Sequence, residues 1–259
     1  MPKLIREDGR LWDTPRINAA KINEITRADG SCDWSADDTR VVCAVTGPRE
    51  NVTRGGDVDF GSNGEQSCVV KASCGFDGPG VSQTLGEGRS CEKLVRECCS
   101  AVLDARTMPS RSRVTVSAQT IRDDGSLLSA IVNALGLALI GSGIDARGVV
   151  CAATVAVRSE DGEMIVDPTK EEESEARATL MAAFLINPKT MDKTVIVATR
   201  MRGRMSDSQV FDAVSLCRGA AMSVAEFFND KVLERKWQEE EFILTPAKIQ
   251  KLKEEFEKK

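Results

Sequence analysis

Several carboxylates cluster just after a short apolar segment, and they are the first residues whose chemistry stands out. Asp167 directly follows Met164-Ile165-Val166, and Glu171, Glu172 and Glu173 come shortly after it. Paired carboxylates at the end of a strand can bind a divalent cation or exchange protons with a substrate. A solvated acidic loop would have the same composition, so the residues alone leave both interpretations open.

A second candidate site is the turn that joins an alternating strand to a long apolar helix. The segment Ile121–Ser129 contains an Asp124-Gly125 turn immediately before the helix. Backbone N–H groups and the positive end of the helix dipole favour anions at such a point. A phosphate site normally adds an arginine or lysine, whereas the first turn of this helix offers Leu127 and Leu128. The sequence therefore predicts the backbone of an anion site without its charge.

Arginines form two clusters that could contact phosphates. The first surrounds Pro109, and the members of the second occupy every second position, so that they share one face of an extended chain. These candidates are Arg106, Arg111 and Arg113 in the first cluster and Arg200, Arg202 and Arg204 in the second. A solvated sheet edge that prevents strand aggregation fits the second cluster equally well. Aromatic residues make up only 4% of the chain, which argues against base-by-base stacking on a single strand.

The composition excludes several classes of function. The 259 residues are 41% hydrophobic and 29% charged, as expected for a soluble globular protein. A net charge of −5 argues against general nucleic-acid binding. The chain has no histidine, which excludes Ser-His-Asp and Cys-His catalysis and histidine-ligated metals. The nine cysteines lack paired C-x-x-C spacing, so we expect free, buried thiols and no metal site. Without an apolar leader or a spanning segment, we expect a reducing compartment and no membrane partner.

Hydrophobic periodicity predicts an α+β fold in which strands and helices follow one another in an order that includes split βαβ units. Strands are predicted at 17–27, 39–46, 67–72, 113–120, 149–157, 164–166, 180–186 and 194–199. Helices are predicted at 92–106, at 127–140 and from Ser206 or Asp207 onward. Gly-rich loops are expected at 49–65, which we interpret as mobile, and at 75–88.

The chain is predicted to form one domain over residues 1–235 and a helical extension over residues 236–259. Thr245-Pro246 is typical of a helix start, and Ile249, Leu252 and Phe256 follow at helical spacing. Such a helix could fold back on its own domain or bind a partner, and the sequence leaves both alternatives open.

Short motifs in a shared order over about residues 6 to 232 resemble a known family. They are Arg6-Glu7-Asp8-Gly9-Arg10, Ala28-Asp29-Gly30-Ser31, Asp38-Thr39-Arg40-Val41, Val45-Thr46-Gly47-Pro48-Arg49-Glu50, Asp124-Gly125-Ser126-Leu127-Leu128-Ser129-Ala130, Asn133-Ala134, Val166-Asp167-Pro168-Thr169 and Glu175-Ala176-Arg177-Ala178. The chain resembles the ribonuclease PH superfamily, in particular the ring subunits of the eukaryotic RNA exosome. The resemblance implies a ribonuclease PH-like fold with mixed sheets and packed helices.

The resemblance also implies phosphorolytic ancestry, because active relatives shorten RNA from its 3′ end with inorganic phosphate. Their phosphate loop reads Gly-Gly-Thr-Arg where this chain has Gly125, Ser126, Leu127 and Leu128, so Leu128 replaces the phosphate-binding arginine. The family's carboxylate pair corresponds to Asp167, which is kept, and to Glu173 in place of aspartate. On this basis we expect vestigial positions rather than catalytic residues, and no cofactor or metal.

The resemblance leads to a main expectation and two alternatives. The main one is a non-catalytic ring subunit of the RNA exosome that supports 3′→5′ RNA processing and degradation. Its expected partners are other ring and cap subunits, an associated 3′→5′ nuclease and RNA, in the nucleus and nucleolus and also the cytoplasm. The first alternative is a phosphate- or metal-dependent 3′→5′ exoribonuclease, alone or as a homodimer, that uses Asp167 and Glu173. The second is a ring subunit of a different type.

Overall fold

A computed structural model describes residues 6, 9–50, 68–76, 85–104, 106–109, 111–159, 162–187 and 194–243. Residues 1–225 and 226–259 form two compact units. The predicted boundary at residue 235 falls inside a continuous helix, α4 (Asp207–Ile243), and remains a prediction. Most of the predicted mobile loop and the helix start at Thr245-Pro246 lie outside the described residues.

The first sheet has five strands in the order β1-β2-β3-β5-β4. These strands are β1 (Asn18–Ile22), β2 (Gly30–Ala36), β3 (Thr39–Glu50), β4 (Val69–Phe76) and β5 (Ser112–Arg122). β4 and β5 are parallel and are joined through helix α1 (Leu85–Val102), while the other pairings are antiparallel. The sheet is therefore mixed, with a βαβ unit at one side.

The second sheet has four antiparallel strands in the order β7-β6-β8-β9. Its strands are β6 (Val149–Arg158), β7 (Met164–Val166), β8 (Ala176–Ile186) and β9 (Thr194–Gly203). β6 and β8 are apolar along almost their whole length because both of their faces are buried. β9 is an edge strand, and most of its side chains are exposed.

Helix α2 (Leu127–Ser142) lies in the core and contacts strands of both sheets. It is apolar nearly all round, as the sequence indicates, because it is covered on several sides. Its one buried amide side chain, Asn133, donates a hydrogen bond to the carbonyl of Ala152 and accepts one from the amide of the same residue, at 3.1 and 2.8 Å. Asn133 thus pairs with β6 as a neighbouring strand would.

Most predicted elements are confirmed, and three are corrected. β2 was not predicted, because Asp33 and Ser35 interrupt its apolar pattern, although Cys32, Trp34 and Ala36 alternate on a buried face. α1 begins at Leu85, inside the segment predicted as a Gly-rich loop, and ends at Val102 rather than at 106. The acidic segment is not a simple loop, since Lys170–Glu175 forms the short helix α3. A capping box between Thr169 and Glu172 explains this helix.

The buried face of α4 differs in part from its predicted apolar side. Ser206 lies at its start, as predicted, and accepts a hydrogen bond from the amide of Gln209. The apolar side that the sequence predicts for this helix consists of Val210, Phe211, Val214, Leu216, Ala220, Val224, Phe227 and Phe228. Of these, Phe211 is 75% exposed. Ala220 and Val224 of the predicted side are buried, and Ala213, Cys217 and Ala221, which were not part of it, are buried as well.

Candidate functional site

Asp167 lies at the end of β7 in a constrained backbone conformation. Its φ of 52° is in the left-handed region, where aspartate is tolerated better than most residues. Its amide donates a hydrogen bond to the carbonyl of Thr154 at 2.8 Å, which attaches the turn to β6. The carboxylate is therefore held in a fixed direction at the corner between β7 and α3.

Both oxygens of the Asp167 carboxylate are engaged by Arg16. The Arg16 amide donates to Oδ2 at 3.0 Å, and its Nη2 donates to Oδ1 at 2.9 Å. The same guanidinium donates to the carbonyls of Asp124 and Gly125 and to the hydroxyl of Thr39. The side chain of Arg16 is only 1% exposed and that of Asp167 15% exposed, so this is a buried, multiply bonded pair.

The ion pair controls the protonation of both partners. Burial alone would raise the pKa of Asp167, but the Arg16 guanidinium outweighs it, so the pKa lies below its usual value. Burial likewise acts to lower the pKa of Arg16, and the Asp167 carboxylate reverses this to a net rise. Asp167 is therefore ionised and paired with the Arg16 guanidinium. A carboxylate in this state is unsuited to exchanging protons at neutral pH.

The turn before α2 packs directly against the segment after Asp167. A Cβ added to Gly125, whose φ is +91°, would lie 2.5 Å from the carbonyl carbon of Thr169 and 2.6 Å from the amide of Lys170. Ser126 donates through its hydroxyl to the carbonyl of Pro168 at 3.0 Å. The side of the predicted anion turn that faces this segment is thus filled by the protein's own backbone.

The carboxylate of Glu173 occupies the start of α2. The Ser126 amide, at the N-cap of this helix, donates to Glu173 Oε1 at 2.7 Å. Burial raises the pKa of Glu173; the hydrogen bond from Ser126 acts in the opposite direction, and the negative charge of Asp123 adds to the rise. A half-buried carboxylate of this chain therefore stands where the helix end favours an anion.

The first turn of α2 contributes no cationic side chain of its own. Leu127 and Leu128 are both half-buried. Arg16 lies at the same turn, but its guanidinium binds the carbonyl oxygens of Asp124 and Gly125 and the Asp167 carboxylate. Internal partners therefore occupy both kinds of backbone group at this turn. Arg16 binds the carbonyl oxygens, and Glu173 accepts a hydrogen bond from the Ser126 amide.

The N-terminal segment strengthens this corner. Arg6 Nη2 donates to the carbonyl of Val166 at 2.6 Å, and its Nε lies 3.4 Å from a carboxylate oxygen of Glu172. Arg10 Nη1 donates to the carbonyl of Asp167 at 3.4 Å. The motif that includes Arg6 and Arg10 therefore braces the segment that carries Asp167.

The two arginine clusters lie on other elements than the residues that bind Asp167 and Glu173. Arg106 is paired with Asp104 in the loop after α1, Arg111 is exposed before β5, and Arg113 lies on β5 opposite Arg49. Arg200 and Arg202 share a face of edge strand β9, and Arg200 Nη2 donates to Glu97 of α1 at 2.8 Å. Arg204 follows the end of the strand at Gly203, so the expected alternation does not extend to it. Whether these residues contact RNA remains a prediction.

Sequence reasoning identified Asp167, Glu173 and the turn, but it missed Arg16. A single arginine before the first strand carries no pattern that distinguishes it from a surface residue. Thr39 lies in the motif Asp38-Thr39-Arg40-Val41, but the sequence assigned it no role; its buried hydroxyl donates to the Gly125 carbonyl at 2.9 Å. Both residues acquire their role through contacts that are distant in the sequence.

Two properties bear on metals and membranes. Among the residues described, no group of three or more histidine, cysteine or acidic side chains is arranged to hold a metal ion. In the part of the chain that the structure covers, no helix combines the length and hydropathy needed to cross a bilayer.

The fold and this corner define a class of protein. Residues 16–145 match the 3′ exoribonuclease family, domain 1, and residues 148–218 match domain 2 of the same family. The chain belongs to this family, also called ribonuclease PH. The first match begins at Arg16 and the second contains Asp167 and Glu173, so the buried ion pair joins the two matched regions.

Similar proteins are exosome subunits of two types. The chain is 28% identical over 236 residues to "Exosome complex component Rrp41" of Archaeoglobus fulgidus, a match that covers 89% of this chain and 87% of that protein. It is 28% identical over 238 residues to "Exosome complex exonuclease RRP46 homolog" of Arabidopsis thaliana, covering 86% and 93%. Its structure matches the crystal structure of rice (Oryza sativa) Rrp46 with a TM-score of 0.73 and 26% identity, covering 86% and 98%. The turn Asp124–Leu128 and the block from Asp167 to Ala178 resemble the second type, ribosomal RNA-processing protein 46.

Proposed function

We propose that this protein is a ring subunit of an RNA exosome and supports 3′→5′ RNA processing and degradation as a scaffold rather than as a nuclease. The exosome role is supported by similarity to named exosome components over most of the chain and by the match to rice Rrp46. Other exosome ring and cap subunits, an associated nuclease and RNA are the proposed partners. We extend the proposal to the nucleus and nucleolus and to the cytoplasm.

One observation carries the proposal that the subunit is not catalytic. At the start of α2 the first turn presents Leu127 and Leu128, and the Ser126 amide is bound by the chain's own Glu173. Phosphate sites at helix starts use open N–H groups, and an arginine or lysine normally strengthens them. This turn instead stabilises the junction between α2 and the segment that contains Asp167.

A specific observation favours the alternative, a residual 3′→5′ exoribonuclease. The pKa of Asp167 is lowered and the pKa of Glu173 is raised, and carboxyl groups whose pKa values are driven apart can divide the roles of base and acid. Against this, both oxygens of Asp167 already accept hydrogen bonds from Arg16. The alternative therefore requires the Arg16–Asp167 pair to open.

Gentle purification of the tagged protein from its own cells, with native mass and partner identification, tests the assembly role. We expect a stable complex that contains several different ribonuclease PH-like chains. Recovery as a lone monomer or homodimer would contradict the ring role.

An RNA-shortening assay with and without inorganic phosphate, and with and without Mg²⁺, tests the absence of catalysis. The purified wild-type chain is expected to leave a labelled RNA intact in every condition. Shortening that is abolished in a folded E173Q variant would establish the residual enzyme instead.

A further inference from the structure

The amide of Ser126 has a partner that belongs to the protein itself. Ser126 N and Glu173 Oε1 are 2.7 Å apart, a short hydrogen bond of the kind made to a charged acceptor. Ser126 is buried, and its φ of 51° lies in the left-handed region. The Glu173 carboxylate therefore takes the N–H group of the N-cap residue, which an external anion could otherwise bind.

The position of Glu173 is fixed by the helix that carries it. The Glu173 amide donates to the carbonyl of Thr169 at 2.8 Å, and the Thr169 side chain and Glu172 form the capping box of α3. Lys170 of the same helix pairs with Asp123 at 2.8 Å, which ties α3 to the turn before α2. The Glu173 carboxylate is therefore presented to Ser126 by a well-anchored segment.

The length of this side chain matters for the contact. An aspartate at position 173 would be shorter by one methylene, which is roughly 1.5 Å of reach. That loss is enough to break the hydrogen bond to the Ser126 amide, which now spans 2.7 Å, when the backbone is held in place. The departure from aspartate at this position, noted in the family resemblance, therefore allows the carboxylate to reach the helix end.

We propose that Glu173 acts as an internal anion that closes the phosphate-type site at the start of α2, so that restoring the missing cation at Leu128 does not by itself restore phosphate binding. This inference rests on the proposed non-catalytic function and adds a second, independent cause to it. The two causes are separable because Leu128 lies on α2 and Glu173 lies on α3.

Isothermal titration calorimetry with inorganic phosphate tests the proposal. Four proteins are compared: wild type, L128R, E173D and the double variant L128R/E173D. We expect the double variant to bind phosphate saturably, and wild type and L128R to show no saturation at phosphate concentrations up to ten times the Kd of the double variant. Glu171, which is exposed on the same helix, supplies the matched control: L128R/E171D shortens a carboxylate of α3 without opening the site and should behave like L128R. Binding to L128R as tight as to the double variant would overturn the proposal.

A second measurement has its deciding outcome in the wild-type protein. In the wild-type protein the amide ¹H and ¹⁵N shifts of Ser126 should follow the titration of the Glu173 carboxyl, while Asp123, Asp167 and Arg16 are the other charged groups close to it. E173Q should remove that transition. A Ser126 amide that is insensitive to pH in wild type would contradict the internal contact. The RNA-shortening assay on wild type decides the proposed function separately, since an inactive wild type combined with a phosphate-binding L128R would refute only the present inference.

Discussion

Arg16 and Asp167 form a two-point ion pair across 151 residues of sequence, through both the backbone amide and the guanidinium of Arg16. Because the same guanidinium also binds the carbonyls of Asp124 and Gly125, one side chain joins the N-terminal segment, the turn before α2 and the end of β7. The residue that the family resemblance identifies as half of a carboxylate pair therefore has a structural role in this chain.

We expect Asp167→Asn to lower the free energy of unfolding by about 3 kcal/mol, because it removes the nearer counter-charge of a buried guanidinium and leaves the more distant Asp124, whose carboxylate lies 3.8 Å from Arg16 Nη1. Chemical denaturation followed by circular dichroism measures the change. Asp38→Asn is the matched control, since Asp38 pairs with Arg122 at 3.0 Å on the surface, where the side chains are 59% and 56% exposed. The control should cost about 0.5 kcal/mol. Equal losses in the two variants would show that the buried Arg16–Asp167 pair contributes no more to the free energy of unfolding than an exposed pair does.

The raised pKa of Glu173 predicts a defined pH dependence of stability. A carboxyl group with a higher pKa in the folded state binds more protons there, so its contribution to stability falls as pH rises from the unfolded pKa through the folded one. Glu173→Gln retains an acceptor for the Ser126 amide without the charge. We therefore expect wild type to gain stability relative to E173Q as the pH is lowered from neutral toward the ordinary pKa of a glutamate. Thermal unfolding at several pH values in this range measures the stability difference between wild type and E173Q. A difference that stays constant with pH would contradict the raised pKa of Glu173.

Gly125→Ala should destabilise the protein, because the position combines a positive φ with a contact to backbone atoms that cannot move aside. We expect a loss of about 2 kcal/mol or more. Gly219→Ala is the matched control, since Gly219 lies in α4 with no atom near the new methyl group. Alanine should stabilise the helix there by about 0.5–1 kcal/mol. Urea denaturation measures the change in the free energy of unfolding for each variant. A loss for G125A with a gain for G219A would confirm the close packing of the turn, and changes of the same sign would refute it.

If Arg202 and Arg204 contact RNA, replacing both by glutamine should weaken binding to a single-stranded RNA and reduce the slope of log affinity against log salt by about 1 to 2. Fluorescence anisotropy at several salt concentrations measures both quantities. Arg40→Gln on the other sheet, where Arg40 is paired with Asp33, is the control and should leave the slope unchanged. If the double replacement at Arg202 and Arg204 and the control at Arg40 change the slope equally, RNA does not bind specifically at the end of β9.

Periodic segments were predictable because one strong signal defined each of them. Val114, Val116 and Ala118 alternate with polar residues within 113–120, which predicts the buried face of β5, and a mostly apolar segment predicts α2 as a core helix. β2 and α3 escaped prediction because polar residues interrupt the first, and a capping box between Thr169 and Glu172 nucleates the second in an acidic segment.

The sequence by itself determined the fold class, the helix that begins with an anion-type turn, and the absence of a cation from that turn. These features depend on residue type and local spacing, which a linear reading contains. Only the tertiary structure decided that Arg16 neutralises Asp167 and that Glu173 fills the start of α2. Both contacts join residues far apart in the chain, and their geometry exists only after the two sheets have packed around α2.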